Sequence, residues 1–358
     1  MQQKRVHSIY CLARTCLPRH QISMASAFKV AALFFLLYGS WSWSAVSGTN
    51  PMTPIDMFEQ WIAQHGRKYA NESEKSYRLG VFTRNLDYVN AFRRVGNRSY
   101  TVDLNRFADL TEEEFVAAYT TTGPRPSVSS YPGLKPFRYA NVTAPSSIDW
   151  RNEGAVTPVK DQARCGSCWA FSAVASIEGI NKIVKGSLIS LSEQQLFACD
   201  QNDDGCVGGL HYRAFSYAVS NGGITTEENY PYQPDQVACD ATKESDYAVT
   251  ITGYAKVPAN DEKLLMNAVA NQPVSISVDA HKFQFYSGGI FDEPCETNLN
   301  HDITLVGYGT DENGTAYWIA KNSWGDSWGD DGYILLKKDI AQKEGHCGLT
   351  LRAYYPII

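Results

Sequence analysis

The stretch Gln162-Ala163-Arg164-Cys165-Gly166-Ser167-Cys168-Trp169-Ala170-Phe171-Ser172 decides how the rest of this 358-residue chain is read. From Trp169 to Lys185 the apolar residues Phe171, Val174, Ile177 and Ile180 recur on one side of a predicted helix, which Gly186 stops. Cys168 therefore stands at a helix N-terminus, where the positive end of the dipole and backbone N–H groups without intrahelical partners favour a thiolate. Its neighbours Gly166 and Ser167 are small enough to let a peptide backbone approach. A cysteine nucleophile also needs a histidine to move the proton and donors aimed at the developing oxyanion. Taken alone, Cys165-x-x-Cys168 has other readings. Zinc would need a second matching pair or a His-x-x-x-His partner, and a thioredoxin-like redox pair would need a preceding βαβ pattern; neither is visible.

The cysteine count sharpens the question. Met24 is followed by one lysine and the apolar run Val30–Tyr38, ending among small residues near Ser42, Ser44 and Ala45. That is a signal peptide over 24–47, too short for a comfortable membrane span, and it makes residues 1–23 an upstream in-frame extension. A secreted chain forms disulfides. Cys11 and Cys16 fall in the extension, and Cys165, Cys168, Cys199, Cys206, Cys239, Cys295 and Cys347 remain. Seven is odd, so one thiol stays outside the intramolecular disulfides, as an intermolecular link or as a reactive group. Asn71, Asn97, Asn141 and Asn313 each begin a glycosylation acceptor triplet.

Charge divides the chain. Residues 144–358 carry 15 Lys/Arg against 28 Asp/Glu, a net of −13, while residues 1–143 carry 17 against 10, a net of +7. An acidic C-terminal region excludes nucleic acid as a partner, since phosphate binding needs clustered cations. The asymmetry fits a soluble acidic domain, and it also lets the basic half dock on the acidic one.

Periodicity predicts two helices between Ile55 and Phe92, a short extended piece over Ser99–Phe107, and a helix capped by Thr111 with Glu112, Glu113 and Glu114 in its first turn. Thr120–Pro145, with five prolines, reads as a linker and a domain boundary. A second helical stretch runs Ser192–Phe197. Further on, Pro273–Ala280, Ile303–Tyr308, Ala316–Ala320 and Gly332–Lys337 read as strands. Helices first and strands later give an α+β fold with two lobes.

Two more motifs complete a constellation. Asn300-His301 lies 133 positions after Cys168 and opens a strand; Asn322-Ser323-Trp324-Gly325 lies 21 further on. With the segment around Cys168, these resemble the papain family of cysteine proteases, in its plant-type precursor form. The resemblance covers nearly everything from residue 55 to the C-terminus. It implies a helical lobe (about 153–254) and a β-barrel-like lobe (about 255–358 plus an N-terminal strand), with the active-site cleft between them in a peptidase domain over 144–358. It implies that Cys168 attacks the scissile carbonyl, His301 is its base, Asn322 orients the imidazole, Gln162 donates to the oxyanion with the Cys168 N–H, and Trp324 shields the His–Asn bond. Trp328 would lie beside the leaving-group subsite. The substrate would run past Gly166, Gly208 and Gly209. The pocket for the second residue before the scissile bond would be walled by Leu210, His211, Ser277 and Asp302 and floored by Arg352, with Asp302 and Arg352 neutralising each other and favouring medium apolar guests. The implied disulfides are Cys165–Cys206, Cys199–Cys239 and Cys295–Cys347, which leaves Cys168, in agreement with parity. No metal or cofactor is called for.

The first region resembles the family's inhibitory prosegment (55–115), followed by a linker and activation region (116–143). Glu74, Arg78, Val81, Phe82, Asn85 and Val89 match its long-helix motif, and Asn105, Phe107 and Asp109 its short extended motif. The implied function is a cysteine endopeptidase made as an autoinhibited zymogen, in the secretory pathway and then extracellular or vacuolar/lysosomal. Its partners would be protein and peptide substrates, its own prosegment and cystatin-type inhibitors, and it would be a monomer, free of the membrane once the signal is removed. A catalytically silent storage or binding relative is the alternative, disfavoured by the intact Cys168, His301, Asn322 and Gln162. Four positions depart from the pattern: Arg93 for Asn, Asp103 for Gly, Ala163 for Gly and Val207 for Asn. Ala163 matters most, because a left-handed backbone there is costlier with a Cβ.

Overall fold

The computed structural model describes residues 52–121, 132–235 and 238–358. The expected extension and signal peptide, and residues 122–131 of the linker, lie outside the described residues.

The first region is built from strongly specified helix ends. In α1 (Pro54–His65), Thr53 and Asp56 form a capping box, proline takes the first helical position and Gly66 closes the helix in the left-handed region. Asn71 caps α2 (Glu72–Val95), and after the strand β1 (Tyr100–Val102) a second capping box, Thr111 with Glu114, starts α3 (Glu112–Tyr119). Phe58 and Trp61 of α1 pack on Phe82 of α2 with ring centroids 5.2 and 5.7 Å apart. Arg78 of α2 reaches Glu114 of α3 at 2.7 Å, and the Asn85 amide donates to the carbonyls of Ala108 and Leu110. Two of the departing residues meet each other here: Arg93 pairs with Asp103 at 2.7 Å and donates to the Val102 carbonyl.

The connection is not slack where it is described. A two-residue strand, β2 (Leu134–Lys135), adds in parallel to the later strand β4 (Gly253–Lys256), the Arg138 N–H donates to the Tyr355 hydroxyl, and Tyr139 bonds Gln272. Residues 140–143, past these contacts, are all exposed.

Beyond β3 (Ile148–Asp149) the helices cluster: α4 (Cys168–Lys185), α5 (Glu193–Cys199), α6 (His211–Asn221) and the short α7 (Ala241–Glu244). Trp169, Val174, Ile177, Leu196, Ala214 and Phe215 form their core. Then come β4, α8 (Glu262–Val269) and the strands β5 (Val274–Val278), β6 (Tyr286–Phe291), β7 (His301–Thr310), β8 (Ala316–Lys321), β9 (Tyr333–Lys337) and β10 (Ala353–Ile357), with a 3₁₀ turn at His346–Gly348 before the last. The sheet order is β1-β6-β9-β8-β7-β5-β10-β4-β2, with β3 also on β7. Strand β7 is buried along nine of its ten residues and is flanked by β5 and β8. At one edge β1 of the first region pairs antiparallel with β6. A single apolar cluster accordingly runs from Phe58, Trp61 and Phe82 through Phe107 and Phe115 to Trp324 and Trp328.

Helix α6 went unforeseen because its N-cap position is Leu210, which makes no side-chain cap bond, so the usual Ser/Thr/Asp/Asn start signal is missing. Strand β6 carries Gly288 and Gly289 in its middle, which hides the alternation.

Candidate active site

Helix α4 begins at Cys168, whose side chain is fully buried. The loop before it is fixed at several points. The Asp161 carboxylate accepts from the Ala163 N–H at 2.9 Å, Cys165 is bonded to Cys206, and the Gly166 N–H donates to the Cys206 carbonyl at 3.0 Å. Disulfides Cys199–Cys239 and Cys295–Cys347 are also present, as expected, and Cys168 keeps its thiol. Cys165 being in a disulfide removes the zinc and redox readings of the Cys-x-x-Cys pair. Ala163 does hold a left-handed backbone, with φ +53°.

The Cys168 sulfur lies against the start of β7, where the Asp302 backbone N–H points at it from 3.4 Å. Residue 301, one peptide earlier, is the first of that strand. The His301 Nε2 is 2.7 Å from the Asn322 side-chain oxygen, which also accepts from the Ser323 N–H at 2.8 Å. Two donors converging on one atom fix the amide's orientation, so Nε2 carries a hydrogen and Nδ1 is the nitrogen that handles a further proton. The Trp324 ring stacks on the imidazole with centroids 4.5 Å apart, and Trp328 meets Trp324 edge-on at 4.8 Å. Both indoles are fully buried, so the His–Asn bond is kept from water.

Gln162 is clamped to the same loop. Its N–H donates to the Ser323 carbonyl at 2.8 Å and its side-chain oxygen accepts the Ser323 hydroxyl at 2.6 Å. Its side-chain nitrogen donates to the Cys165 carbonyl at 2.6 Å and to the Tyr119 carbonyl at 3.2 Å. Tyr119, the last residue of α3, accepts from the Trp324 indole N–H as well, also at 3.2 Å. The chain then passes through the cleft: the Thr121 N–H donates to the Asn300 carbonyl at 2.8 Å, and a Cβ on Gly208 would lie 2.7 Å from that of Thr121. A Cβ on Gly166 would meet the Cys206 carbonyl at 2.4 Å and that of Thr120 at 3.1 Å, so only glycine leaves this space to a passing backbone.

Further contacts hold the first region down. Arg106 pairs with Asp161 and Arg98 lies 3.5 Å from Glu293, basic side chains of the first region on acidic ones of the second; Lys282 to Glu112, at 3.7 Å, has the opposite sense. The Asn105 amide donates to the Gln284 carbonyl, and the Gln284 amide returns bonds to the carbonyls of Phe107 and Leu110.

Near the thiol, Asp302 bonds two of the residues that the resemblance places with it in one pocket. One carboxylate oxygen accepts the Ser277 hydroxyl at 2.5 Å and the other lies 3.0 Å from His211 Nδ1. His211, Ser277 and Asp302 are all buried, Leu210 stands beside them in sequence, and the Ser277 N–H donates to the Arg352 carbonyl at 2.9 Å. Behind Asn322, Lys321 donates to Thr157, which in turn donates to Glu178, and Lys160 binds Glu178 and Glu193. Burial pulls the Lys321 ammonium down to about 8 and pushes the Glu193 carboxyl up to about 8. Asp161, Ser323 and Tyr119 were not singled out beforehand. Ser323 lies inside the quoted motif and could have been, whereas the Tyr119 carbonyl offers no side-chain signal.

The profile described as papain family cysteine protease matches residues 144–357. The chain belongs to the papain family. The profile described as cathepsin propeptide inhibitor domain matches residues 58–115, in front of the peptidase match. A senescence-specific cysteine protease of Arabidopsis thaliana is 48% identical over 84% of this chain and 89% of its own, and fruit bromelain of Ananas comosus is 44% identical over 94% and 96%. Among solved structures, a recombinant stem bromelain precursor superposes with a TM-score of 0.78 at 42% identity, over 85% of this chain and 99% of that one. The proform of a ragweed pollen allergen cysteine protease does so with 0.78 at 40%, over 85% and 94%. This papain-family chain is a cysteine protease precursor whose prosegment is its intramolecular inhibitor.

The left-handed alanine supplies a stability test. Ala163→Gly should raise the stability of the precursor by about 1 kcal/mol, the cost of placing a Cβ in that region. Denaturant unfolding of the two precursors measures it, and an unchanged or lowered midpoint would show that the loop carries no such strain.

Proposed function

We propose that Cys168 is the nucleophile and His301 the base of a peptide-bond hydrolysis, with Asn322 orienting the imidazole and Gln162 and the Cys168 N–H stabilising the oxyanion. The observation that carries this is the buried thiol at the start of α4 facing the His301–Asp302 peptide, with Nε2 committed to Asn322. The thiol proton passes to His301 Nδ1 and the sulfur attacks the scissile carbonyl carbon. The carbonyl oxygen becomes an oxyanion facing the Gln162 amide and the backbone N–H at the positive end of α4. The imidazolium then gives its proton to the leaving amine, and a thioester remains. Water, deprotonated by His301, releases the acid and restores the thiol. A silent storage or binding relative would have no use for this constellation.

The prosegment blocks the same groups. The Tyr119 carbonyl takes the Gln162 donor and Thr120–Thr121 fill the space between Gly166, Gly208 and the Asn300 carbonyl. We assign 24–47 to a signal peptide after an extension over 1–23, 55–115 to the prosegment, 116–143 to the activation region and 144–358 to the peptidase. The destination is extracellular or vacuolar/lysosomal, with Asn71, Asn97, Asn141 and Asn313 all exposed for glycosylation. No helix of the described residues is long and apolar enough to cross a membrane. The mature enzyme is taken as a monomer open to cystatin-type inhibitors, with Trp328 beside the leaving-group subsite and Gly209 on the substrate path. Leu210, His211, Ser277, Asp302 and Arg352 bound the pocket for the second residue before the scissile bond.

Three outcomes test this. Cys168→Ala should yield a folded precursor with no peptidase activity; hydrolysis by the purified variant would remove Cys168 from the chemistry. Release of the prosegment should follow acid. Burial raises the Glu114 carboxyl, but the Arg78 hydrogen bond, the Thr111 N–H and nearby cations outweigh it and hold the group below its usual value of 4.5. A lowered folded value stabilises the contact above the unfolded carboxylate range and loses that contribution as pH falls through the lowered value. Glu114→Gln removes the charge at every pH, so this precursor should mature at a higher pH than the parent in a gel series; an unchanged conversion midpoint would contradict it. Asp302→Ala should remove the carboxylate beside His211 and, on the proposal that Asp302 and Arg352 neutralise each other, expose the Arg352 charge, so that the acceptance of Glu over Leu at the second position rises by about tenfold, a kcat/KM discrimination worth about 1.4 kcal/mol. Unchanged preference in a peptide library would place these residues outside the pocket.

A further inference from the structure

Tyr232 belongs to none of the motifs above, yet its hydroxyl touches both ends of the loop that leads into α4. It donates to the Gln162 carbonyl at 3.0 Å and lies 2.7 Å from the Ser167 hydroxyl. A carbonyl can only accept, so the tyrosine proton goes to Gln162 and the serine proton goes to the tyrosine oxygen. The result is a directed chain, Ser167 O–H to Tyr232 O–H to the Gln162 carbonyl. Its ring is held by the helices behind the loop, edge-on to Phe171 of α4 at 4.8 Å and to Phe197 of α5 at 6.1 Å. The Tyr232 N–H donates to Glu227 at 2.8 Å, and the next N–H, that of Gln233, donates to the Gln194 side chain at 2.8 Å. The hydroxyl is therefore a fixed point that moves with α4.

Ser167 shows what this fixed point draws on. It stands at the N-cap of α4, where a serine ordinarily accepts from the second or third N–H of the helix, yet it makes no side-chain cap bond. Its hydroxyl is turned to Tyr232 instead. The capping bond is forgone at the helix that carries the nucleophile. On its other side Gln162 is tied to Ser323, next to Asn322, through its N–H and its side-chain oxygen. The Gln162 amide also donates to the Cys165 carbonyl at 2.6 Å, which ties the side chain to the loop, but the Gln162 main chain is joined to Ser323. Without Tyr232 that main chain would lose its bond to the α4 side, and the separation of the two donors would be held less tightly against small shifts between the Ser323 loop and α4.

We propose that Tyr232 is a positioning residue for catalysis, setting the distance between the Gln162 amide and the Cys168 N–H so that both meet one oxyanion. This rests on the assignment of those two groups as the oxyanion donors. Donors of this kind act only when held near 3 Å from where the charge develops, and a misplacement of a fraction of an ångström is felt in the chemical step rather than in substrate binding.

The test is kinetic, on acid-matured enzyme with rates expressed per titrated active thiol. Tyr232→Phe keeps the ring and removes the hydroxyl; kcat should fall about tenfold while KM stays within twofold. The inhibition constant of a peptide aldehyde, whose adduct with the thiol places an oxygen at the oxyanion position, should rise by the same factor as kcat/KM falls. Ser167→Ala, which leaves the Tyr232–Gln162 bond in place, should show a smaller loss of the same kind and carries the test if Tyr232→Phe fails to fold. Gln162→Ala separates the two levels of the claim. If it keeps full activity, the oxyanion assignment falls and this inference with it. If it is impaired while Tyr232→Phe and Ser167→Ala keep the parental kcat, or raise KM alone, the positioning role is overturned and the assignment stands.

Discussion

The structure turns on one close approach, that of the Cys168 sulfur to the first peptide of β7. A buried thiol cannot be placed by its own side chain, which has a single rotatable bond; the backbone elements on either side must do it. Helix α4 is buried along most of its length, so its N-terminus cannot drift, and β7 is hydrogen-bonded on both sides by β5 and β8. Ser172 of α4 donates to the Ile303 carbonyl at 2.7 Å, and Ser176 meets Ser275 at 2.7 Å, so helix and sheet are also sewn together by buried hydroxyls one and two turns behind the thiol. Rigid elements of this kind hold a site more tightly than loops do.

Much of this was legible in the sequence, for reasons that differ from residue to residue. Cys168, His301 and Asn322, the residues proposed to carry the chemistry, have reactive or polar side chains in motifs of fixed spacing, so they could be named before any fold was known. The disulfides followed from the resemblance and agreed with parity. The Thr111 N-cap and its acidic first turn announced α3, and the Gly186 stop announced the end of α4, because those signals are local. Helix α6 has no side-chain cap and β6 has glycines at its centre, so their existence depends on packing against elements far away in sequence. The resemblance grouped Ser277 and His211 with Asp302, but not the bonds among them: Ser277 lies across the strand pair from Asp302 and His211 comes from helix α6.

The departures from the family pattern are instructive because two of them cancel. Arg93 and Asp103, each unusual alone, form an ion pair that ties the end of α2 to the strand beneath it. Both side chains are about half exposed, so the pair is worth at most about 1 kcal/mol. Ala163 has no such counterpart and keeps its left-handed backbone through the surrounding bonds of Asp161 and the Cys165 disulfide. The inhibitory contact, by contrast, rests on main-chain carbonyls. Tyr119 and Asn300 accept through their backbone carbonyls, the latter from the Thr121 N–H, and such contacts tolerate side-chain change.

The central claim is that one thiol, that of Cys168, does the chemistry and that the prosegment covers it until it is removed. Labelling with an epoxysuccinyl peptide, read by mass spectrometry before and after acid maturation, tests both halves at once. The account predicts no modification of the intact precursor at neutral pH and a single label on Cys168 in the mature enzyme. Equal labelling of precursor and mature protein, or a label on any other residue, would contradict it.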